Sequence, residues 1–150
     1  MTLKKLKLKI QSDTNTKIKH IIKNDSILVD GIDGHLRLLD RKGVSMGQTL
    51  AIAYSFLGSM FDNSSHQLPF VVDSPAGSLD LEVRRAVSSI LPSLFKQLII
   101  FITSGERQGF VDYYYNSSET QFLTIYRDNS GAIKCLEGKD EFRNFQEKAV

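Results

Sequence analysis

The stretch that decides the fold is Leu68-Pro69-Phe70-Val71-Val72-Asp73-Ser74-Pro75-Ala76-Gly77-Ser78-Leu79-Asp80. Its apolar run, Leu68 to Val72, ends in an aspartate and a proline, which predicts a short buried strand entering a turn. Residues 79–91 then place Leu79, Val83, Val87, Ile90 and Leu91 at helical spacing, and Pro92 is expected to end or kink that helix. Leu98 to Ile102 is a second run, apolar on both faces. Upstream, Leu50, Ala53, Tyr54, Leu57, Met60 and Phe61 keep the helical spacing after Ser45, a favourable N-cap residue. A polar loop from Asp62 to Gln67 separates that helix from the first strand. Helix, buried strand, helix, buried strand is the order of a parallel sheet covered by helices, so the fold class is α/β.

Further out, the pattern changes. Residues 1–42 alternate with period two, Leu6, Leu8 and Ile10 against Lys5, Lys7 and Lys9. The alternation resumes in residues 17–21, 26–29 and 35–39, with breaks at Ser12-Asp13-Thr14-Asn15 and Gly31-Ile32-Asp33-Gly34. This predicts an antiparallel meander with one wet face. Toward the other end, Phe110 to Tyr115 reads as a short helix and Gln121 to Arg127 as a strand. Asn129-Ser130-Gly131 reads as a turn into Ala132 to Leu136, and about Asp140 to Lys148 as a charged helix. The 150 residues fit one domain, divided as meander (1–42), helix-and-strand core (43–107) and closing strands and helix (108–150).

Composition excludes several classes. Hydrophobic residues make up 41% and charged residues 24%, which rules out a disordered tail. No apolar run is long enough to span a bilayer, and the N-terminal lysines interrupt any secretory core. A single cysteine, Cys135, excludes an internal disulfide and points to a reducing compartment, hence the cytoplasm. His20, His35 and His66 lie far apart in sequence and have no cysteine partners, which argues against structural zinc. Residues 1–23 carry seven lysines against Asp13 alone, on an otherwise mildly acidic chain. That end reads either as an edge strand protected from aggregation or as a surface for nucleic acid, with Lys5, Lys7 and Lys9 as contacts.

Four short segments bear on chemistry. Val44-Ser45-Met46-Gly47-Gln48 opens a helix, where a hydroxyl and unpaired N–H groups favour anions and above all phosphates. Asp73 stands at the end of a strand, a position that holds Mg²⁺ through water in phosphate-handling α/β proteins; a plain turn before proline reads equally well. Gly77-Ser78-Leu79-Asp80 opens the next helix, where Ser78 and Asp80 also suit capping. Thr103-Ser104 ends the second strand in two hydroxyls.

Taken in order, these segments resemble the C-terminal lobe of an ABC-type ATPase head of the SMC-like group, which includes DNA-repair and DndD-like phage-defence ATPases. The resemblance implies a partial P-loop NTPase fold. Ser45, Met46, Gly47 and Gln48 look like the signature motif that contacts ATP held by a second head in an ATP-dependent dimer. Asp73 looks like the Walker B aspartate that orients Mg²⁺, and Ser78 and Asp80 look like the D-loop. Ser74 stands where the family has its catalytic glutamate, and Ser104 where it has a switch histidine. Glu106 is the nearest carboxylate to substitute as base. No Gly-x-x-x-x-Gly-Lys-Ser/Thr phosphate loop occurs in the chain, so the Walker A motif is expected from an N-terminal lobe, in a longer protein or on a separate chain.

Two other readings stand beside this one. Serine at 74 and 104 suits a lobe that binds a partner or DNA without hydrolysing ATP. Gly43-Val44-Ser45-Met46-Gly47 also satisfies the nucleophile elbow of serine hydrolases, with Ser45 as nucleophile, but the only acid and histidine in the required order, Asp62 and His66, share a loop at the other end of the following helix and do not easily reach it.

Overall fold

The computed structural model describes residues 2–22, 26–39, 43–64, 68–77 and 79–146. The elements run α1 (Leu3–Ile21), β1 (Val29–Ile32), β2 (Leu36–Leu38), α2 (Met46–Asp62), β3 (Phe70–Asp73), α3 (Leu81–Leu94), β4 (Leu98–Phe101), α4 (Arg107–Phe110), β5 (Leu123–Arg127), β6 (Ile133–Glu137) and α5 (Lys139–Asn144). Short 3₁₀ turns flank α4.

The centre is as read from sequence. β3 and β4 pair in parallel, Phe70 against Leu98 through Asp73 against Phe101, with α3 as the connection. Phe70 stacks on Phe95 with ring centroids 3.9 Å apart, and Phe61 meets both rings edge-on. Pro92 does not stop α3, which continues to Leu94; the proline lies in the last turn, where the ring costs only the bond to the Ser88 carbonyl. β5 and β6 form an antiparallel hairpin closed at Asp128–Ala132, and α5 covers less than expected, ending at Asn144. Residues 147–150, the end of the anticipated last helix, lie outside the described residues.

The N-terminal meander is half corrected. β1 and β2 are antiparallel partners, as expected for its second half, but residues 3–21 form a helix rather than strands. Thr2 caps it, and the buried positions Thr14 and Ile18 sit one turn apart. Leu8 is 57% exposed, so the Leu6-Leu8-Ile10 alternation does not mark one face. The polar run at 13–16 survives inside the helix because each of these side chains has a partner. Thr14 and Thr16 donate back to the carbonyls of Ile10 and Ser12, Asp13 accepts from Lys9 and Asn63, and Asn15 pairs with both backbone groups of Val29.

Two apolar clusters result. One gathers Tyr54, Ala76, Leu79, Val87, Leu91, Leu94, Phe95, Phe110 and their neighbours; the other joins Ile18, Ile27, Val29 and Ile52. α2 contributes to both.

Candidate functional site

Two glycines set the geometry around the site. A Cβ on Gly47 would lie 2.7 Å from Val83 Cγ1, and one on Gly58 would lie 3.2 Å from Leu94 Cβ. Both pairs are separated by eleven residues along their own helices, so α2 and α3 lie side by side and run the same way. Their N-termini therefore share one end. β3 and β4 run the opposite way and bring their carboxyl ends, Asp73 and Phe101, to that same end. Topology alone thus collects Ser45, Asp73, Asp80 and Ser104 at one pole, the edge where α/β proteins bind ligands.

Ser45 is exposed and caps α2 in a reciprocal box. Its oxygen accepts from the Gln48 N–H at 3.2 Å, while its own N–H donates to Gln48 Oε1 at 2.8 Å. Met46, at the first helical position, is 60% exposed. Gly47 is in close contact with α3. Asp80 is exposed and caps α3, accepting from the Val83 N–H at 2.9 Å. Ser78 lies outside the described residues.

Asp73 is exposed at the end of β3. Ser74 takes φ 47°, the left-handed region, and its N–H donates to the Phe101 carbonyl at 2.9 Å. Ser104, also exposed, opens the 3₁₀ turn Ser104–Glu106. Glu106, in contrast, is 2% exposed. Its Oε1 accepts from the Ala76 N–H at 3.1 Å, and Oε2 from the Thr103 N–H at 3.0 Å and hydroxyl at 3.1 Å. The Ser74 hydroxyl donates as well. Burial pushes this carboxyl up, but the four hydrogen bonds outweigh it and hold Glu106 below the usual glutamate range.

Arg84, unremarked in the sequence, also ties the same two loops. Its Nε donates to the Leu79 carbonyl at 2.8 Å, and its two terminal nitrogens to Gly105 at 2.9 Å and Gly77 at 3.4 Å. In the sequence Thr103 reads only as one of two hydroxyls at a strand end, not as a partner of Glu106. Nothing in a one-dimensional pattern marks an arginine whose partners are carbonyls of distant loops.

Two groupings weighed in the sequence do not form. Lys5, Lys7 and Lys9 do not share a face, since helical spacing turns Lys7 away from the other two. Lys7 pairs with Asp33 at 3.1 Å and Lys9 with Asp13 at 3.3 Å; Lys9 also donates to Asn63. For the hydrolase triad, Asp62 sits at the far end of the 17-residue α2, about 25 Å from Ser45, and pairs with Lys17. His66 lies outside the described residues. Among the described residues there is no group of three or more His, Cys, Asp or Glu side chains that could hold a metal ion. No described helix is long and apolar enough to cross a membrane.

One face of the β3–β4 pair is bare. Val71, Ile99 and Phe101 are 54%, 40% and 51% exposed, although both strands were expected to be buried on both faces.

No protein-family model matches the sequence, and no curated protein matches it either. Solved structures do. A chain from work on ATP-driven dimerization and DNA-stimulated activation of SMC ATPases aligns with a TM-score of 0.65 at 12% identity, over 97% of this chain and 97% of that one. An SmcHead bound to the C-winged helix domain of ScpA aligns with a TM-score of 0.61 at 11% identity, over 87% of this chain but 42% of that one. The chain thus has the fold of part of an SMC ATPase head.

Proposed function

We propose that this chain is the C-terminal lobe of an SMC-like ATPase head and that it works in a composite ATP site. One observation carries the reading: parallel packing of α2 and α3, opposed to β3 and β4, gathers Ser45, Asp73, Asp80 and Ser104 at one pole. In the completed head, Ser45, the Gly47 backbone and the remaining N–H groups of the α2 tip contact the γ-phosphate of ATP held by an opposing head. Each such charge-assisted hydrogen bond contributes about 1.5–3 kcal/mol. ATP then joins two heads, in line with the ATP-driven dimerization studied in the first structural neighbour. Asp73 acts in the other site, completed by an N-terminal lobe. A single exposed carboxylate suits Mg²⁺, which takes its other ligands from phosphate and water. Asp80, at the tip of α3, couples the two sites across the dimer.

The bare face of Val71, Ile99 and Phe101 supports a partner that packs across the β3–β4 pair and brings the phosphate loop. Match to less than half of a whole SmcHead supports the same division.

The test begins with purification of the chain from its source cells and identification of the bound partner by mass spectrometry. A partner with a phosphate loop is expected. The pair should then dimerise on adding ATP, and Ser45→Arg should abolish dimerisation without unfolding the chain. ATP-independent association, or association unaffected by Ser45→Arg, would remove the signature role. The chain alone should bind ATP more weakly than micromolar.

A second reading has its own support. Ser74 replaces the expected glutamate and spends its hydroxyl on Glu106, while every acceptor position of Glu106 is engaged. A lobe that engages ATP, and through it DNA repair or defence machinery, without hydrolysing ATP fits this arrangement. Tight ATP-dependent pairing with no phosphate release would decide for it.

A further inference from the structure

We propose that Glu106 is a positioning residue, not a base, and that its buried carboxylate joins the loop after β3 to the loop after β4 so that Asp73 and Ser104 are presented as one rigid edge. The tie itself is independent of the functional reading; its use in setting the Mg²⁺ and γ-phosphate edge rests on that reading.

The argument starts from counting acceptors. An ionised carboxylate offers about four acceptor sites. Glu106 receives four donors: the Ala76 N–H and the Ser74 hydroxyl from one loop, and the Thr103 N–H and hydroxyl from the other. No lone pair is left to take a proton from water, and the side chain is 2% exposed. What the group does instead is mechanical. Ser74 directly follows Asp73, and Thr103 directly precedes Ser104, so each loop is held at the residue next to its exposed polar group. Ser74 sits at φ 47°, a conformation a serine adopts only with compensation, and its hydroxyl bond to Glu106 supplies some. Arg84 adds a second tie by binding the Gly77 and Gly105 carbonyls. A carboxylate and a guanidinium thus hold the same two loops through different partners.

Glutamine at 106 has the right shape and the wrong chemistry. Its single oxygen serves one loop, and its NH₂ then faces a backbone N–H of the other. The discriminating experiment is residue-resolved amide exchange by NMR on the full chain, wild type against Glu106→Gln and Ser74→Ala. In Glu106→Gln, the Ala76 or the Thr103 amide should exchange about tenfold faster or more, with the β5–β6 ladder unchanged. The backbone order of both Asp73 and Ser104 should fall in the same variant. Ser74→Ala keeps both backbone bonds and should loosen Asp73 while leaving Thr103 protected. Unchanged exchange at both amides in Glu106→Gln, or acceleration spread equally into β5–β6, overturns the tie. Should Glu106→Gln fail to fold, Ser74→Ala with unaltered order at Asp73 overturns it as well. If the tie holds and the ATP-dependent pairing described above is absent, the functional reading falls and the tie stands.

Discussion

Gly47 shows how a residue chosen for one reason can look chosen for another. In a signature-like segment a glycine suggests backbone approach to phosphate, yet here a Cβ would lie 2.7 Å from Val83 Cγ1, a β-branched side chain that cannot swing away. The contact sets how closely α2 approaches α3 and so where the Ser45 tip stands. Gly47→Ala gains helix propensity but forces the helices apart, and the clash should win by about 1–3 kcal/mol. Urea denaturation of the chain should register a lower midpoint, and adding Val83→Ala should restore most of it. A midpoint unchanged by Gly47→Ala would mean that the helix tips are not in contact.

Among the elements, α1 depends on the rest of the chain more than α2 or α3 does. Its apolar stripe is thin, and its attachment to the β1–β2 hairpin relies on amide side chains. Asn15 donates to the Val29 carbonyl at 2.9 Å and accepts from the Val29 N–H at 2.7 Å, so it pairs with the strand as another strand would. Gln11 adds a third bond at 3.0 Å. Asn15→Ala leaves the Val29 N–H without that partner and should cost about 1–3 kcal/mol, seen as a lower denaturation midpoint. Asn15→Asp retains the acceptor for the N–H and should cost less. Equal losses would indicate that packing, not the paired bonds, holds α1 in place.

At the scale of the whole molecule, two apolar sheet faces are uncovered among the described residues. Val71, Ile99 and Phe101 form one; Leu123, Ile125 and Ile133, at 48%, 62% and 70% exposure, form the other on the β5–β6 hairpin. Such faces favour association of the isolated chain. Phe101→Thr combined with Ile133→Thr preserves strand preference and removes exposed apolar area. Sedimentation velocity should show less self-association, while the melting temperature stays nearly constant because neither side chain is in the core. A large fall in melting temperature would show that the faces are covered in solution.

The sequence by itself determined the α2–β3–α3–β4 core, because short apolar runs bounded by turn signals alternate there with helices of clear apolar spacing, and it placed Ser45 and Asp80 as caps from local chemistry alone. It did not determine α1, since the six alternating residues 5–10 fit a strand and the polar run at 12–16 looks like a break until its partners Val29 and Asn63 are known. Nor did it reveal that Glu106 and Arg84 bind two loops together. Each role joins a partner near in sequence to one twenty to thirty residues away, and only the folded chain brings the distant one within hydrogen-bonding distance.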